Sequence, residues 1–166
     1  MNQYVIGAIV SNISGVLSRV SGMFTRRGFN IDCLTVGETE SAEFSRITVV
    51  FHGDEDIKDK IIKQLEKLHD VKEVEGLDPH ETVIRELLLI KVRNTPSTRQ
   101  DIMTAVEIFR SKIVDYSPTA LVCELTGETK KINAFIDLMK PYGIMEMCRT
   151  GIVAIERGDN CLTTER

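Results

Sequence analysis

Tryptophan is absent from the 166 residues, and all aromatics together make up only 5%. The cores must therefore be aliphatic, and little ring surface is offered for stacking nucleobases. No apolar run approaches the ~18–20 residues that span a bilayer, which argues against a membrane helix. A Cys-x-x-Cys pair is also missing: Cys33, Cys123, Cys148 and Cys161 lie far apart, at neither zinc-knuckle nor redox spacing. His52, His69 and His80 have no His or Cys at ligand spacing. Gly-x-Ser-x-Gly, Gly-x-Gly-x-x-Gly and P-loop motifs are lacking too, and no nucleophile is paired with a base. Net charge is −4 with an isoelectric point near 5.5, too acidic for a broad nucleic-acid footprint. The opening Met-Asn-Gln-Tyr-Val lacks the basic start of a secretory signal. The expectation is a reduced, cytoplasmic protein.

What is present is a pattern passed through twice. Tyr4 to Val10 reads as a buried strand, and Val16 to Arg27 as an amphipathic helix with Val16, Leu17, Val20, Met23 and Phe24 at helical spacing. Ser14 is placed to cap that helix and Gly28 to stop it. Ile31 to Glu38 and Phe44 to His52 follow as strands joined through Thr39 to Glu43. A helix then opens on Asp54, Glu55 and Asp56 and carries Ile57, Ile61, Leu65 and Leu68, before a short strand, Val71 to Val74. After the polar break Gly76 to Glu81 the order restarts. Strands are expected at Leu87 to Val92, Ile113 to Tyr116, Leu121 to Leu125 and within Met145 to Ile155. One helix is lined by Ile102, Met103, Val106 and Phe109 and capped by Ser97 or Thr98. A second is lined by Ile132, Phe135, Ile136 and Met139 and ended at Pro141-Tyr142-Gly143.

Two βαββαβ units of α+β class result, each a ferredoxin-like arrangement with helices on one face of an antiparallel sheet. The boundaries expected are residues 1–76 for the first unit, 77–82 for a linker, 83–158 for the second unit and 159–166 for a flexible tail. The other face and the edges of such a sheet are left uncovered, and pairing with a second copy is the expected remedy.

One corner of this pattern carries chemistry. Asn12-Ile-Ser-Gly-Val-Leu joins the first strand to the first helix, so a polar amide, a glycine and free helix N–H groups meet at one point. An amino acid would place its carboxylate on those N–H groups. Gly15 would admit it to the backbone, Asn12 would read a charged group, and Leu17 would receive a branched side chain. A helix cap with a turn glycine explains the same residues. The equivalent corner of the second unit, Arg93-Asn94-Thr95-Pro96-Ser97, has lost the glycine and gained a proline. Asn30, at the entrance to the second strand, should lie ~18 Å from Asn12 within one subunit, about the length of the helix. It joins the same site only through a symmetry mate, and a loop asparagine is its plainer explanation. Arg19, Arg26, Arg27 and Arg46 form a local basic set read as a solvated face.

The run from Asn12 to Ile31, with Leu34-Thr-Val-Gly-Glu-Thr-Glu, Ser45-Arg-Ile-Thr-Val-Val, Lys63-Gln-Leu-Glu-Lys-Leu, Ile108-Phe-Arg, Ile113-Val-Asp and Arg149-Thr-Gly, resembles the small, regulatory subunit of acetolactate synthase. The similarity covers nearly the whole chain. It implies an N-terminal ACT domain, which binds amino acids, and a C-terminal domain of related fold. It also implies a large catalytic subunit as partner, using thiamine diphosphate, Mg²⁺ and FAD, with no cofactor or metal on this chain itself. The small subunit of that family is non-catalytic. It raises its partner's activity and confers feedback inhibition, usually by valine, in branched-chain amino acid synthesis; leucine and isoleucine are the alternative effectors. The resemblance places the effector pocket at an ACT homodimer interface. Its pattern falls on Asn12 and Gly15 of one subunit and Asn30 of the other; Ser14, Val16 and Leu17 complete the expected effector-binding set. Ile13 and Cys33 depart from the family's pattern beside these runs. An RNA-recognition module shares the βαββαβ order but would need more than Phe51 on its third strand. An acylphosphatase-like hydrolase would want an arginine in the first loop, whereas Arg19 is expected inside the helix.

Overall fold

The computed structural model describes residues 2–163. The strand β1 (Asn2–Ser11) is buried along Val5–Val10 because both of its faces are covered. Helix α1 (Val16–Arg26) buries Val16, Val20, Met23 and Phe24 and leaves Leu17 exposed. It ends in a Schellman motif: Gly28 N donates to Thr25 O and Phe29 N to Phe24 O, with Gly28 at φ +69°. Strands β2 (Cys33–Glu38) and β3 (Phe44–Gly53), helix α2 (Glu55–Leu65) and strand β4 (Val71–Leu77) complete the first sheet in the order β2-β3-β1-β4. The acidic start of α2 works as a cap, since Asp54 Oδ1 accepts from Ile57 N at 2.8 Å.

The second sheet is built from β5 (Thr82–Arg93), β6 (Lys112–Tyr116), β7 (Ala120–Gly127) and β8 (Ile144–Arg149) in the order β6-β7-β5-β8, with β9 (Val153–Glu156) paired to β5 off that path. Its helices are α3 (Arg99–Phe109) and α4 (Thr129–Met139), the latter followed by a 3₁₀ turn, Lys140–Tyr142. Each unit is therefore the α+β, ferredoxin-like arrangement expected, with antiparallel pairing between its neighbouring strands.

Four local expectations change. Ser14 does not cap α1: the N-cap is Gly15 at φ +86°, and no side chain bonds the first turn. The left-handed turn at the glycine replaces the extended cap conformation that a serine hydroxyl needs. Neither Ser97 nor Thr98 caps α3 through its side chain; Thr95 Oγ1 accepts from Thr98 N at 3.3 Å. Met103 is exposed and Ala105 takes its place in the core, because the buried stripe of α3 runs through Ile102, Ala105 and Val106. The last strand is broken at Thr150-Gly151, where Gly151 has φ +79°.

That break coincides with a division of the chain into two compact units. One holds the residues up to Val83 and those from Ile152 onward; the other holds Ile84–Gly151. The segment from Ile152, read from sequence as the close of the second unit and a tail, packs with the first, and residues 164–166 lie outside the described ones. The alternation of β1 explains why. Ile6, Ala8 and Val10 face the helices with Ile47, Val49 and Phe51, while Val5, Gly7 and Ile9 face the other way with Arg46, Thr48 and Val50. That second face, expected to be bare, is covered by Ile152, Ala154 and Leu162, all buried. Leu162 lies so close that a Cβ at Gly7 would sit 2.6 Å from its Cδ1, so a larger residue there would have to displace the leucine side chain.

In the second unit, the buried carboxylate of Glu86 accepts from Arg149 Nε at 3.1 Å and Nη2 at 2.6 Å and is also bonded by Thr129 Oγ1. This network clamps the end of β8 to β5.

Candidate functional site

The loop between β1 and α1 is held open by long-range polar bonds. Asn12 N donates to Glu43 O at 2.7 Å. Its side-chain Nδ2 donates both to Glu38 Oε1 at 2.8 Å and to Ala42 O at 3.0 Å. With both amide hydrogens engaged, the atom Asn12 turns to an incoming group is its Oδ1, an acceptor.

One turn further on, Gly15 exposes its backbone. Among the described residues no acceptor meets the N–H groups of Gly15, Leu17 or Ser18; the next amide, Arg19 N, bonds Gly15 O at 3.0 Å. These free donors at the positive end of α1 attract a carboxylate. Arg19 reinforces them. Its Nε donates to Asp70 Oδ2 at 2.6 Å, and its Nη1 lies 3.0 Å from where a Gly15 Cβ would be. The guanidinium is thus anchored on one side and leans over the glycine with donors to spare, rather than simply being solvated.

The corner accordingly has two poles and an apolar rim. Helix N–H groups and Arg19 suit an anion; Asn12 Oδ1 and the carboxylate of Glu38 suit an ammonium. Leu17 and Ile13 are exposed beside them, at 45% and 59%. Val16, by contrast, is buried at 4% and packs into the core, so its side chain is not presented at this corner. Ser14 is exposed and makes no cap.

Asn30 is held differently. It lies just before β2 and donates through Nδ2 to Asp32 Oδ1 at 3.0 Å, while Asp32 Oδ2 lies 2.6 Å from His52 Nδ1. The second unit differs at the equivalent position. Its equivalent asparagine, Asn94, is buried at 3%, donates to Ser117 O at 2.7 Å and accepts from Arg99 Nε at 3.0 Å, so it braces a loop.

Two members of the corner escape a reading of the sequence, Glu38 and Asp70, the partner of Arg19. The only trace of Glu38 is its place in the run Leu34-Thr-Val-Gly-Glu. Asp70 carries no signal, since a pairing over 51 residues leaves no periodic mark.

Comparison with known proteins fixes the lineage. The family model "AHAS small subunit-like ACT domain" matches residues 6–73, and "Small subunit of acetolactate synthase" matches residues 85–158. The acetolactate synthase small subunit of Bacillus subtilis is 48% identical over 156 residues, covering 93% of this chain and 90% of its own length. The chain belongs to the acetolactate synthase small-subunit family. A second small subunit of this family, from Mycolicibacterium smegmatis, is 42% identical over 155 residues, covering 93% of this chain and 91% of its own. In three dimensions the crystal structure of the Thermotoga maritima small subunit superimposes with a TM-score of 0.91 at 40% identity, covering 96% of this chain and all of that one. The corner just described therefore lies in the ACT domain of an acetolactate synthase small subunit. Among the described residues no His, Cys, Asp and Glu side chains are grouped to hold a metal ion, and no helix is long and apolar enough to cross a membrane. All four cysteines are free.

Proposed function

We propose that this chain is a non-catalytic regulatory subunit that binds a branched-chain amino acid, valine foremost, in its ACT domain. It activates the large catalytic subunit of acetolactate synthase and makes it subject to feedback inhibition in the cytoplasm. Thiamine diphosphate, Mg²⁺ and FAD belong to the partner in this reading. The observation that carries it is the two-poled corner. The α-carboxylate of an amino acid would lie on the N–H groups of Leu17 and Ser18 beside Arg19. Its ammonium would lie on Asn12 Oδ1 and Glu38, and its aliphatic side chain against Leu17 and Ile13.

The topology supports a homodimer that completes this site. Strand β2 is an edge of its sheet. Asn30 lies three residues before its first and Glu38, bonded to Asn12, is its last. Two β2 edges paired antiparallel about a two-fold axis would carry Asn30 of one copy to the Asn12–Glu38 pair of the other. A ligand held between two copies can bias their conformation by its difference in affinity for the two states, of the order of ~1–3 kcal/mol in allosteric proteins.

Calorimetric titration of valine, leucine and isoleucine into the full chain and into Asn12→Ala tests the reading. Saturable valine binding that weakens at least ~10-fold in the variant is expected, a loss of about 1.4 kcal/mol. Equal binding by both proteins, or none by the folded dimer, refutes it. Reconstitution with a catalytic subunit then reads activation and inhibition directly.

A further inference from the structure

The segment from Ile152 to Thr163 is docked on the first unit by bonds of several kinds. Ile152 N donates to Cys33 Sγ at 3.3 Å, and Arg46 Nη2 donates to Ala154 O at 2.9 Å. Arg157 N donates to Glu81 O at 2.7 Å, Thr163 N to Glu73 Oε2 at 2.6 Å, and Leu162 closes over Gly7. Between this segment and the edge strand β2 runs an open groove of about 270 Å³, with Val36, Gly37 and Glu38 on one side and Val153, Ala154 and Ile155 on the other. Glu38 is thus shared: its carboxylate holds Asn12 at the ligand corner, and its residue walls the groove against the docked segment.

The docking is also incomplete. Two buried side-chain atoms among the described residues have no hydrogen-bond partner, and both lie along this segment's path. One is Arg46 Nε, on the same guanidinium that grips Ala154. The other is Thr82 Oγ1, in the first residue of β5 and next to Glu81, which receives Arg157. Burial draws the pKa of Arg46 down, while nearby Glu156 raises it without forming an ion pair. A buried polar group left without a partner opposes the docked state. At its start the segment has no slack. Thr150 is bonded to Leu87 through both its N–H and its hydroxyl, and Ile152 is bonded to Cys33, so only Gly151 separates two anchors.

We propose that residues 152–163 form a releasable strap that carries occupancy of the amino-acid corner to the second unit, binding at the corner favouring its release. The proposal rests on the corner being an effector site. An arriving ammonium competes for the Glu38 carboxylate, β2 shifts, and the Cys33 Sγ that receives Ile152 N moves with it. Release of the strap unpairs β9 from β5.

Amide hydrogen exchange on the full chain, with and without saturating valine, tests this. The expected result is slowed exchange in residues 12–20 together with at least ~3-fold faster exchange in residues 152–157. Protection of the corner with an unchanged or slowed strap overturns the strap and leaves the effector site standing. No protection of the corner by valine, leucine or isoleucine overturns both. A second arm uses Leu162→Asp, which places a charge against Gly7 and undocks the strap without touching the corner. Linkage requires that a strap released by valine must, when released beforehand, raise the affinity for valine. A dissociation constant lowered at least ~3-fold is expected, and unchanged or weaker binding overturns the proposal.

Discussion

Gly15 and Gly143 offer a matched pair of perturbations. Gly15 sits at φ +86° and Gly143 at φ +82°, both in the left-handed region that side chains with a Cβ rarely adopt. A methyl at position 15 would meet Arg19 Nη1 at 3.0 Å, and one at position 143 would meet Arg93 Cδ at 3.1 Å. In each case the obstruction is a long side chain able to give by a few tenths of an ångström, so most of the cost falls on the backbone. Holding alanine in the left-handed region costs about 1–2 kcal/mol. Gly15→Ala and Gly143→Ala should therefore shift urea unfolding by similar amounts, with unchanged slope for the affected unit. Their effects on ligand binding should diverge. At position 15 the methyl and the displaced guanidinium occupy the path to the free N–H groups, and valine affinity should fall at least ~10-fold, about 1.4 kcal/mol. At position 143, in the second unit, affinity should stay within ~2-fold, about 0.4 kcal/mol. Calorimetry on the two variants reads this. Wild-type affinity in Gly15→Ala, or an equal loss in Gly143→Ala, would refute the assignment of Gly15 to ligand approach.

Glu86→Ala should destabilise the second unit by roughly 2–4 kcal/mol in urea unfolding, because it strands the half-buried Arg149 and Thr129; Glu86→Gln should recover part of the loss. Burial pushes the Cys123 thiol up to about 11 from an ordinary 9.0. The unfolded chain therefore releases this proton first, and stability should decline as pH rises from about 9 towards about 11. Cys123→Ala should flatten that slope, and an unchanged slope would exclude the thiol as its source. In the native protein a thiol reagent at neutral pH should label the exposed Cys148 and Cys161 and leave Cys123 untouched.

Much of this architecture is written in local spacing. Val16, Val20, Met23 and Phe24 specify α1, Ile61 and Leu65 specify α2, and the glycine at position 28 marks where a helix stops, all without reference to distant residues. The corner was legible for the same reason, since Asn12 and Gly15 stand at a strand–helix junction whose free N–H groups follow from helix geometry. What escaped was set at long range. Gly15 overrode Ser14 as the N-cap because a single left-handed residue redirects the chain. Glu38, Asp70 and the strap residues Ile152, Ala154 and Leu162 meet their partners across 26 to about 155 residues, as sequence numbers alone show. A bare second face was the reasonable expectation from β1 read alone. Its continuous run, Val5 to Val10, was nonetheless the sign that something covers it.

The return of the chain to cover that face bears on how this protein can be cut. A fragment that stops at the polar break after Leu77, where composition invites a boundary, would carry every ligand-corner residue yet leave Val5, Ile9 and Val50 bare. Such a fragment should be sticky and short-lived in a cell, and its failure to bind would say nothing about the corner. A workable minimal module would instead keep residues 2–83, bridge with a short flexible linker in place of the inserted unit, and resume at Ile152. Excision of the middle, rather than truncation of the end, is the cut that keeps the covering segment with the face it covers.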